Sequence, residues 1–290
     1  MRALKKDFSR GFIIVILGQT ATGKSALAVR VAKKVNGEII SADSRQVYKK
    51  LDIGTGKITK KEMKGVPHHL IDVANPKNKF TAAEFQQKAI SAMAEICKKG
   101  KIPIICGGTG FYIDAVTRGV VFPEVPPNNA LRKKLALISD RALMLKLEKL
   151  DPERAKNIDP KNKVRIIRAI EIAKALGKVP QITAVQPLYR FVKIGLYLPT
   201  EKLKVKIEKR VKKMFANGLL NEIKKIKKAG VSDKRLKELG FEYYKPTPES
   251  VINGTMQYAK RQMTWFKRDK EIKWFDASKK TKHFLYSRIL

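Results

Sequence analysis

Phe12-Ile13-Ile14-Val15-Ile16-Leu17 runs directly into Gly18-Gln19-Thr20-Ala21-Thr22-Gly23-Lys24-Ser25, which opens into Ala26-Leu27-Ala28-Val29-Arg30-Val31-Ala32. The first segment is an unbroken apolar run and predicts a buried strand; the last carries apolar residues at helical spacing. Between them lies a complete G-x-x-x-x-G-K-[ST] phosphate-binding loop, in the strand–loop–helix order the motif requires. Its glycines let successive backbone N–H groups converge on an anion, and the helix N-terminus adds a partial positive charge. Lys24 contributes a point charge and Ser25 a hydroxyl suited to Mg²⁺. This stretch predicts a phosphate or diphosphate site on an α/β fold.

Working outward, Glu38-Ile39-Ile40-Ser41-Ala42 predicts a second strand that ends at Asp43-Ser44-Arg45-Gln46. Residues 48–66 are rich in Lys, Gly and Thr and predict a loop. Leu70-Ile71-Asp72-Val73 is a third strand candidate. Thr81-Ala82-Ala83-Glu84 is a capping box, followed by Phe85, Ala89, Ala92 and Ile96 at helical spacing until Gly100. Ile102-Pro103-Ile104-Ile105-Cys106 predicts another buried strand, leading into Gly107-Gly108-Thr109-Gly110-Phe111-Tyr112. Strands alternating with helices argue for a parallel sheet. Ligands of such sheets sit beyond the carboxyl ends of the strands. That rule gathers residues 18–25, 43–46 and 107–109 onto one rim.

Near residue 119 the pattern changes. Phe122-Pro123-Glu124-Val125-Pro126-Pro127 predicts a stiff connector, and helical stretches follow over 129–138, 140–149, 151–157 and about 162–176. Leu131, Leu135, Leu143, Leu147, Ile167 and Ile170 fall at their apolar positions. The expected organisation is a P-loop NTPase-like core, a parallel sheet flanked by helices formed by residues 1–118 and 187–290, with an all-helical insertion over 119–186. Strand character returns in Phe191-Val192-Lys193-Ile194-Gly195-Leu196-Tyr197-Leu198. A Lys/Arg-rich helix pair over 203–216 and 219–229 comes next, then a helix over 255–268 with Met256, Ala259, Met263 and Phe266 on one side. Ile272-Lys273-Trp274-Phe275-Asp276 predicts the last strand.

Sixty-three Lys and Arg stand against 26 Asp and Glu, a formal net charge of +37 over 290 residues. Such a field favours a polyanionic partner. Cys97 and Cys106 form no C-x-x-C pair, which fits a reduced, cytoplasmic protein. Arg2, Lys5, Lys6 and Arg10 before an apolar run imitate a signal peptide, but the run ends in the phosphate loop, and nothing approaches the ~20 apolar residues a membrane span needs.

Which chemistry uses the loop is decided by what surrounds it. A nucleotide-hydrolysing P-loop protein carries an apolar strand ending in Asp, yet the strand at Ile102 ends in Gly-Gly-Thr-Gly. Asp43 is the carboxylate at a strand terminus that opens into a polar loop. Asp72 is its rival and reads as structural, inside a strand run. A carboxylate beside a bound diphosphate can accept a proton from an incoming nucleophile. Small-molecule P-loop kinases place an acidic residue similarly, so at this level the two reactions look alike.

The loop at 18–25, then Ser41-Ala42-Asp43-Ser44-Arg45-Gln46-Val47-Tyr48 with Asp52-Ile53-Gly54-Thr55, then Pro67-His68-His69-Leu70-Ile71-Asp72, then Gly107-Gly108-Thr109-Gly110-Phe111-Tyr112 resemble the tRNA dimethylallyltransferase (tRNA isopentenyltransferase) family. Arg165-Ile166-Ile167-Arg168-Ala169-Ile170-Glu171 and Tyr258-Ala259-Lys260-Arg261-Gln262-Met263-Thr264-Trp265-Phe266 continue the resemblance over nearly the whole chain. It implies transfer of a dimethylallyl group from dimethylallyl diphosphate to N6 of the adenosine 3′-adjacent to the anticodon, in tRNAs reading codons that begin with U. It further implies that the phosphate loop, Arg210 and a Ser25-bound Mg²⁺ hold the diphosphate, that Asp43 is the base, and that Thr109 reaches into the same site.

By the same resemblance, Asp43, Ser44, Arg45, Gln46 and Thr109 hold the flipped adenosine, while Arg132 and Val164-Arg165-Ile166-Ile167-Arg168 contact the tRNA anticodon stem-loop. Val164 stands where Gln is common and Lys206 where Arg is usual. His68 and His69 lack metal-ligand partners at sensible spacing and read as structural; Trp265 can stack on a base or pack. A monomer is expected. Two rival functions remain at this point: a P-loop small-molecule or nucleoside kinase using ATP, and an RNA-binding NTPase switch.

Overall fold

The computed structural model describes residues 11–180 and 189–279. β1 (Phe12–Gly18) lies at the heart of a six-stranded sheet. Ile13 through Leu17 are almost wholly inaccessible, as a parallel strand covered on both faces must be. Ile13, Val15 and Leu17 face one apolar layer, and Ile14 and Ile16 face the other. α1 (Lys24–Val35) covers the second face with Leu27, Ala28 and Val31, and ends at Asn36 in the left-handed conformation. β2 (Gly37–Ala42) follows directly.

The excursion after residue 48 holds the short α2 (Lys60–Met63), capped by Thr59 and Glu62 in a reciprocal box. β3 is His68–His69, not the Leu70-Ile71-Asp72-Val73 run. Leu70 and Asp72 take φ of 62° and 57°, which no strand tolerates, so the chain turns there. Asp72 is therefore a turn residue, ion-paired with Lys57 at 2.6 Å. α3 (Ala82–Lys98) carries the expected Thr81/Glu84 box, and β4 (Ile102–Gly107) leads into α4 (Gly110–Thr117).

Gly119 and Val120 mark the boundary between two compact units. The second contains α5 (Asn129–Ala136), α6 (Asp140–Leu150), α7 (Pro152–Lys156) and α8 (Lys163–Leu176). Leu135, Leu143, Leu147, Ile158, Ile166 and Ile170 form its own core. Asp151 caps α7 through the Arg154 amide and reaches the Val179 amide with its other oxygen. Glu171, 2% exposed, accepts both Nε and Nη2 of Arg132 at 2.9 and 2.6 Å, the Asn128 amide, and Nη1 of Arg168. Against the opposing effect of burial, these donors hold its carboxyl down at about 2.

The first unit resumes with β5 (Arg190–Tyr197), α9 (Thr200–Ala216), α10 (Leu219–Lys228), α11 (Asp233–Leu239), α12 (Pro248–Phe266) and β6 (Lys273–Asp276). The strands run β3-β2-β4-β1-β5-β6, and every pair is parallel. α11 has no counterpart in the sequence reading. α12 starts two turns earlier than its apolar spacing indicated, at a Thr247/Ser250 box with Pro248 in the first turn. Its buried face is Val251, Thr255, Ala259, Gln262 and Phe266, so a glutamine lies where Met263 was expected. Among the described residues, no helix is long and apolar enough to cross a membrane.

Candidate active site

The chain leaves β1 for β2 on one side and leaves β4 for β5 on the other, with β4 inserted between β1 and β2. This reversal of direction opens a crevice at the carboxyl ends of β1 and β4. The three segments at 18–25, 43–46 and 107–109 meet there. A cleft of about 630 Å³ is lined by Lys24, Ser25, Asp43, Gly108, Arg210 and Gln262, among others.

The loop around the cleft is shaped by backbone that few residues tolerate. Gly18 has φ of 128°, and a Cβ there would lie 2.1 Å from the Leu196 carbonyl oxygen. Gly23 precedes α1 at φ of 89°. The Gln19 carbonyl accepts both the Thr22 hydroxyl at 2.8 Å and Lys24 Nζ at 2.5 Å. The Gln19 side chain accepts the Leu198 amide at 3.0 Å, tying the loop to the end of β5. Burial pushes the Lys24 ammonium down to about 8, while Asp43 pulls it up and Arg210 pushes it further down.

Arg210, on α9, donates Nη2 to the Thr55 carbonyl at 3.0 Å and lies 3.5 Å from Thr20 Oγ1. It is half-buried against the phosphate loop. Gln262 adds a contact the sequence reading missed. Its Oε1 accepts the Thr20 amide at 2.8 Å, and its Nε2 donates to the Gly108 carbonyl at 2.9 Å. α12 thus joins the phosphate loop to the glycine turn after β4.

Asp43 uses one oxygen on its own turn: Oδ1 accepts the amides of Arg45 at 2.9 Å and Gln46 at 3.3 Å. Oδ2 has no hydrogen-bond partner among the described residues. The Thr109 hydroxyl accepts the Ser44 amide at 2.9 Å and donates to Ser44 Oγ at 3.2 Å, while the Tyr258 hydroxyl donates to the neighbouring Gly108 carbonyl at 3.4 Å. Thr109 therefore clamps the Asp43 loop to the start of α4. Arg45 donates to the Glu238 carbonyl at 3.1 Å. Near these groups, Glu242 is lifted by burial to about 7, with Arg45 and Arg210 opposing the rise. Burial also pushes the Cys106 thiol, at the end of β4, to about 12.

The remaining candidates divide by environment. Arg165 and Val164 are exposed at the start of α8, Val164 at 78%, and Ile167 is half-buried. Arg132 and Arg168 are each about one-third exposed while engaged on Glu171. Ile166 is 0% exposed inside the insertion core, so its side chain packs α8 and cannot meet RNA. His69 pairs with buried Glu38 at 2.7 Å, and His68 Nδ1 lies 2.8 Å from the Val66 carbonyl. Trp265 donates to Asp114 at 2.9 Å and packs edge-on to Phe111. Lys206 lines the cleft.

For Mg²⁺, no group of three or more His, Cys, Asp or Glu among the described residues is arranged to hold a metal. Ser25 is exposed at the second position of α1 and faces the cleft. Mg²⁺ characteristically takes one or two protein oxygens, substrate phosphates and water, so this donor set fits it.

Strand order and phosphate loop define a P-loop α/β protein, with a carboxylate, Asp43, on the rim of the same cleft. Its relatives make the class particular. The chain belongs to the IPP transferase family, whose model matches residues 46–269. It is 39% identical to the tRNA dimethylallyltransferase of Anoxybacillus flavithermus, across 93% of this chain and 91% of that one. Among solved structures, it is similar to the full-length tRNA isopentenylpyrophosphate transferase of Bacillus halodurans, with a TM-score of 0.68 and 36% identity over 92% of this chain and 90% of that one. A eukaryotic dimethylallyltransferase captured acting on tRNA superposes with a TM-score of 0.78 at 25% identity, over 96% of this chain and 78% of that one.

Proposed function

We propose that the protein transfers the dimethylallyl group of dimethylallyl diphosphate to N6 of the adenosine 3′-adjacent to the anticodon in tRNAs reading codons that begin with U. One observation carries the reading: the phosphate loop faces Asp43 across strand ends where β4 offers Gly107-Gly108 rather than a carboxylate. The cleft suits a leaving group and a base, and the strand beside β1 ends without the acid a nucleotide hydrolase carries there.

In the reaction, the exocyclic amine attacks the allylic carbon as the carbon–oxygen bond to diphosphate breaks, and the amine proton passes to Asp43 Oδ2. Loop amides, Lys24 and Arg210 bear the charge that grows on the departing diphosphate. The Ser25 hydroxyl would hold Mg²⁺, which would supply further charge neutralisation for the leaving group. Thr109 and Ser44 keep the Asp43 loop in register, and Arg45 and Gln46 flank the adenosine. The base must leave the anticodon-loop stack to be reached, and unstacked loop bases are what RNA enzymes commonly read. Arg132, Arg165 and Arg168 on the insertion take tRNA phosphates, and the +37 charge makes that affinity fall steeply with salt. The protein acts as a cytoplasmic monomer.

The test incubates the protein with tRNA, Mg²⁺ and either labelled dimethylallyl diphosphate or γ-labelled ATP. Label entering tRNA from the first compound supports the proposal; transfer from ATP alone defeats it.

A further inference from the structure

α10 is a lysine-rich helix, yet its first turn turns a carboxylate inward. Glu222 is 9% exposed and forms none of the ion pairs among the described residues, although the chain has 63 Lys and Arg to offer. Its partners are neutral. Oε2 accepts the amides of Asp52 and Ile53, both at 2.8 Å; Oε1 accepts the Gly54 amide at 3.1 Å and the Tyr243 hydroxyl at 2.9 Å. Three consecutive N–H groups closing on one anion form a backbone nest. Here the protein supplies the anion itself.

The nest lies one residue before Thr55, whose carbonyl holds Arg210 Nη2. The loop has no slack. A Cβ on Gly54 would stand 2.6 Å from the Tyr243 ring, and one on Gly56, at φ of 57°, would stand 2.2 Å from Arg210 Nη2. The Thr55 hydroxyl donates back to the Leu51 carbonyl at 2.7 Å. A shift of residues 52–54 therefore moves the carbonyl that aims the guanidinium at the phosphate loop.

We infer that Glu222 is a positioning residue for the diphosphate: by anchoring the Asp52-Ile53-Gly54 backbone it fixes, through Thr55 and Gly56, where Arg210 meets the anion. The inference rests on the reading above that the cleft takes a diphosphate. Glutamine cannot replace it, because its NH₂ would face an N–H donor where the second carboxylate oxygen now accepts.

Calorimetric titration of inorganic pyrophosphate into the wild type, Glu222→Gln, Arg210→Ala and the double variant tests the coupling. Glu222→Gln should weaken binding about tenfold, as expected when a charge-assisted contact is misplaced. In the Arg210→Ala background, the same change should cost less than about twofold, with tRNA affinity unchanged throughout. Losses that multiply independently, pyrophosphate binding by Glu222→Gln equal to wild type, or a matching loss of tRNA affinity would each overturn it. If Glu222→Gln is insoluble, Glu222→Asp keeps the charge, retracts the carboxylate by one methylene, and faces the same criteria. A wild type that binds pyrophosphate but moves no label from dimethylallyl diphosphate to tRNA would defeat the proposed function alone. A wild type that prenylates tRNA while Glu222 and Arg210 act independently would defeat only this inference.

Discussion

Replacing Asp43 with Asn isolates the proposed base from the turn that carries it. The Asn side-chain oxygen can still accept the Arg45 and Gln46 amides that Asp43 Oδ1 accepts now, so the backbone of the loop is preserved. What disappears is the negative charge and the proton acceptor at Oδ2. Loss of a positioned general base lowers rate by about 10²–10⁴, equivalent to roughly 3–5 kcal/mol of barrier at about 1.4 kcal/mol per tenfold. The donor side should respond in the opposite sense. Asp43 lies close enough to raise the proton affinity of Lys24, and its charge also faces Arg210. Removing it leaves a more positive cleft, so the KM for dimethylallyl diphosphate should stay level or fall. Initial rates with labelled donor and tRNA, single-turnover rates, and tRNA binding on filters separate these effects. A kcat within tenfold of wild type, or a raised donor KM with normal kcat, would refute the assignment.

Three further outcomes follow from the same geometry. Because burial lowers Lys24 to about 8, donor kcat/KM should be level below that pH and fall as the free protein loses the ammonium above it; a flat profile to about one unit above would contradict the role of Lys24. Gln262→Leu strips the Thr20 amide of its partner and leaves the buried Gly108 carbonyl only the longer 3.4 Å contact from the Tyr258 hydroxyl, at about 1–3 kcal/mol for a buried unsatisfied group; urea denaturation should show the loss together with a higher donor KM, and an unchanged midpoint would count against the bridge. Glu171 is held at about 2, below its ordinary 4.5, so its stabilisation is complete above the ordinary value and is lost as pH falls through that window. Amide protection factors in α5 and α8 should fall over that range, and Glu171→Gln should lower them already at neutral pH and abolish the acid response; α5 and α8 equally protected in both proteins would contradict it.

The phosphate loop, the strands at Ile13, Ile39, Ile104 and Ile194, and the insertion helices were legible because each signal is local: an apolar run, a capping box, a helical spacing. The rim that joins residues 18–25, 43–46 and 107–109 was legible through a topological rule that needs no distances. The Leu70-Ile71-Asp72-Val73 run misled because two of its residues adopt left-handed backbone, and pairing fell instead on His68 and His69. α12 was read too short because Gly254 interrupts its spacing; the glycine is needed, since a Cβ there would press 2.6 Å from the Phe241 ring. Gln262 enters the sequence reading only within a family motif, and Glu222 is one charge in a Lys/Arg-rich helical run that nothing in the sequence sets apart. Each satisfies backbone groups more than 150 residues away in sequence. No spacing encodes such partners.

β1 is completed on one side by β4, but on the other by β5, with Phe12 opposite Arg190 and the register running on to Gly18 opposite Leu196. During synthesis from the N-terminus, the strand that launches the phosphate loop must wait, one edge bare, until every residue of the insertion has left the ribosome. An unpaired hydrophobic edge is a template for wrong partners. The insertion eases this exposure, because α5 to α8 close a core of their own from short-range contacts and can form before β5 arrives. Once it is compact, less free chain separates the two strands, and each halving of a flexible loop lowers the entropy of closure by about 0.6 kcal/mol. The segment proposed to hold tRNA would also serve the nascent chain, as a folded spacer that hastens the closing of the sheet.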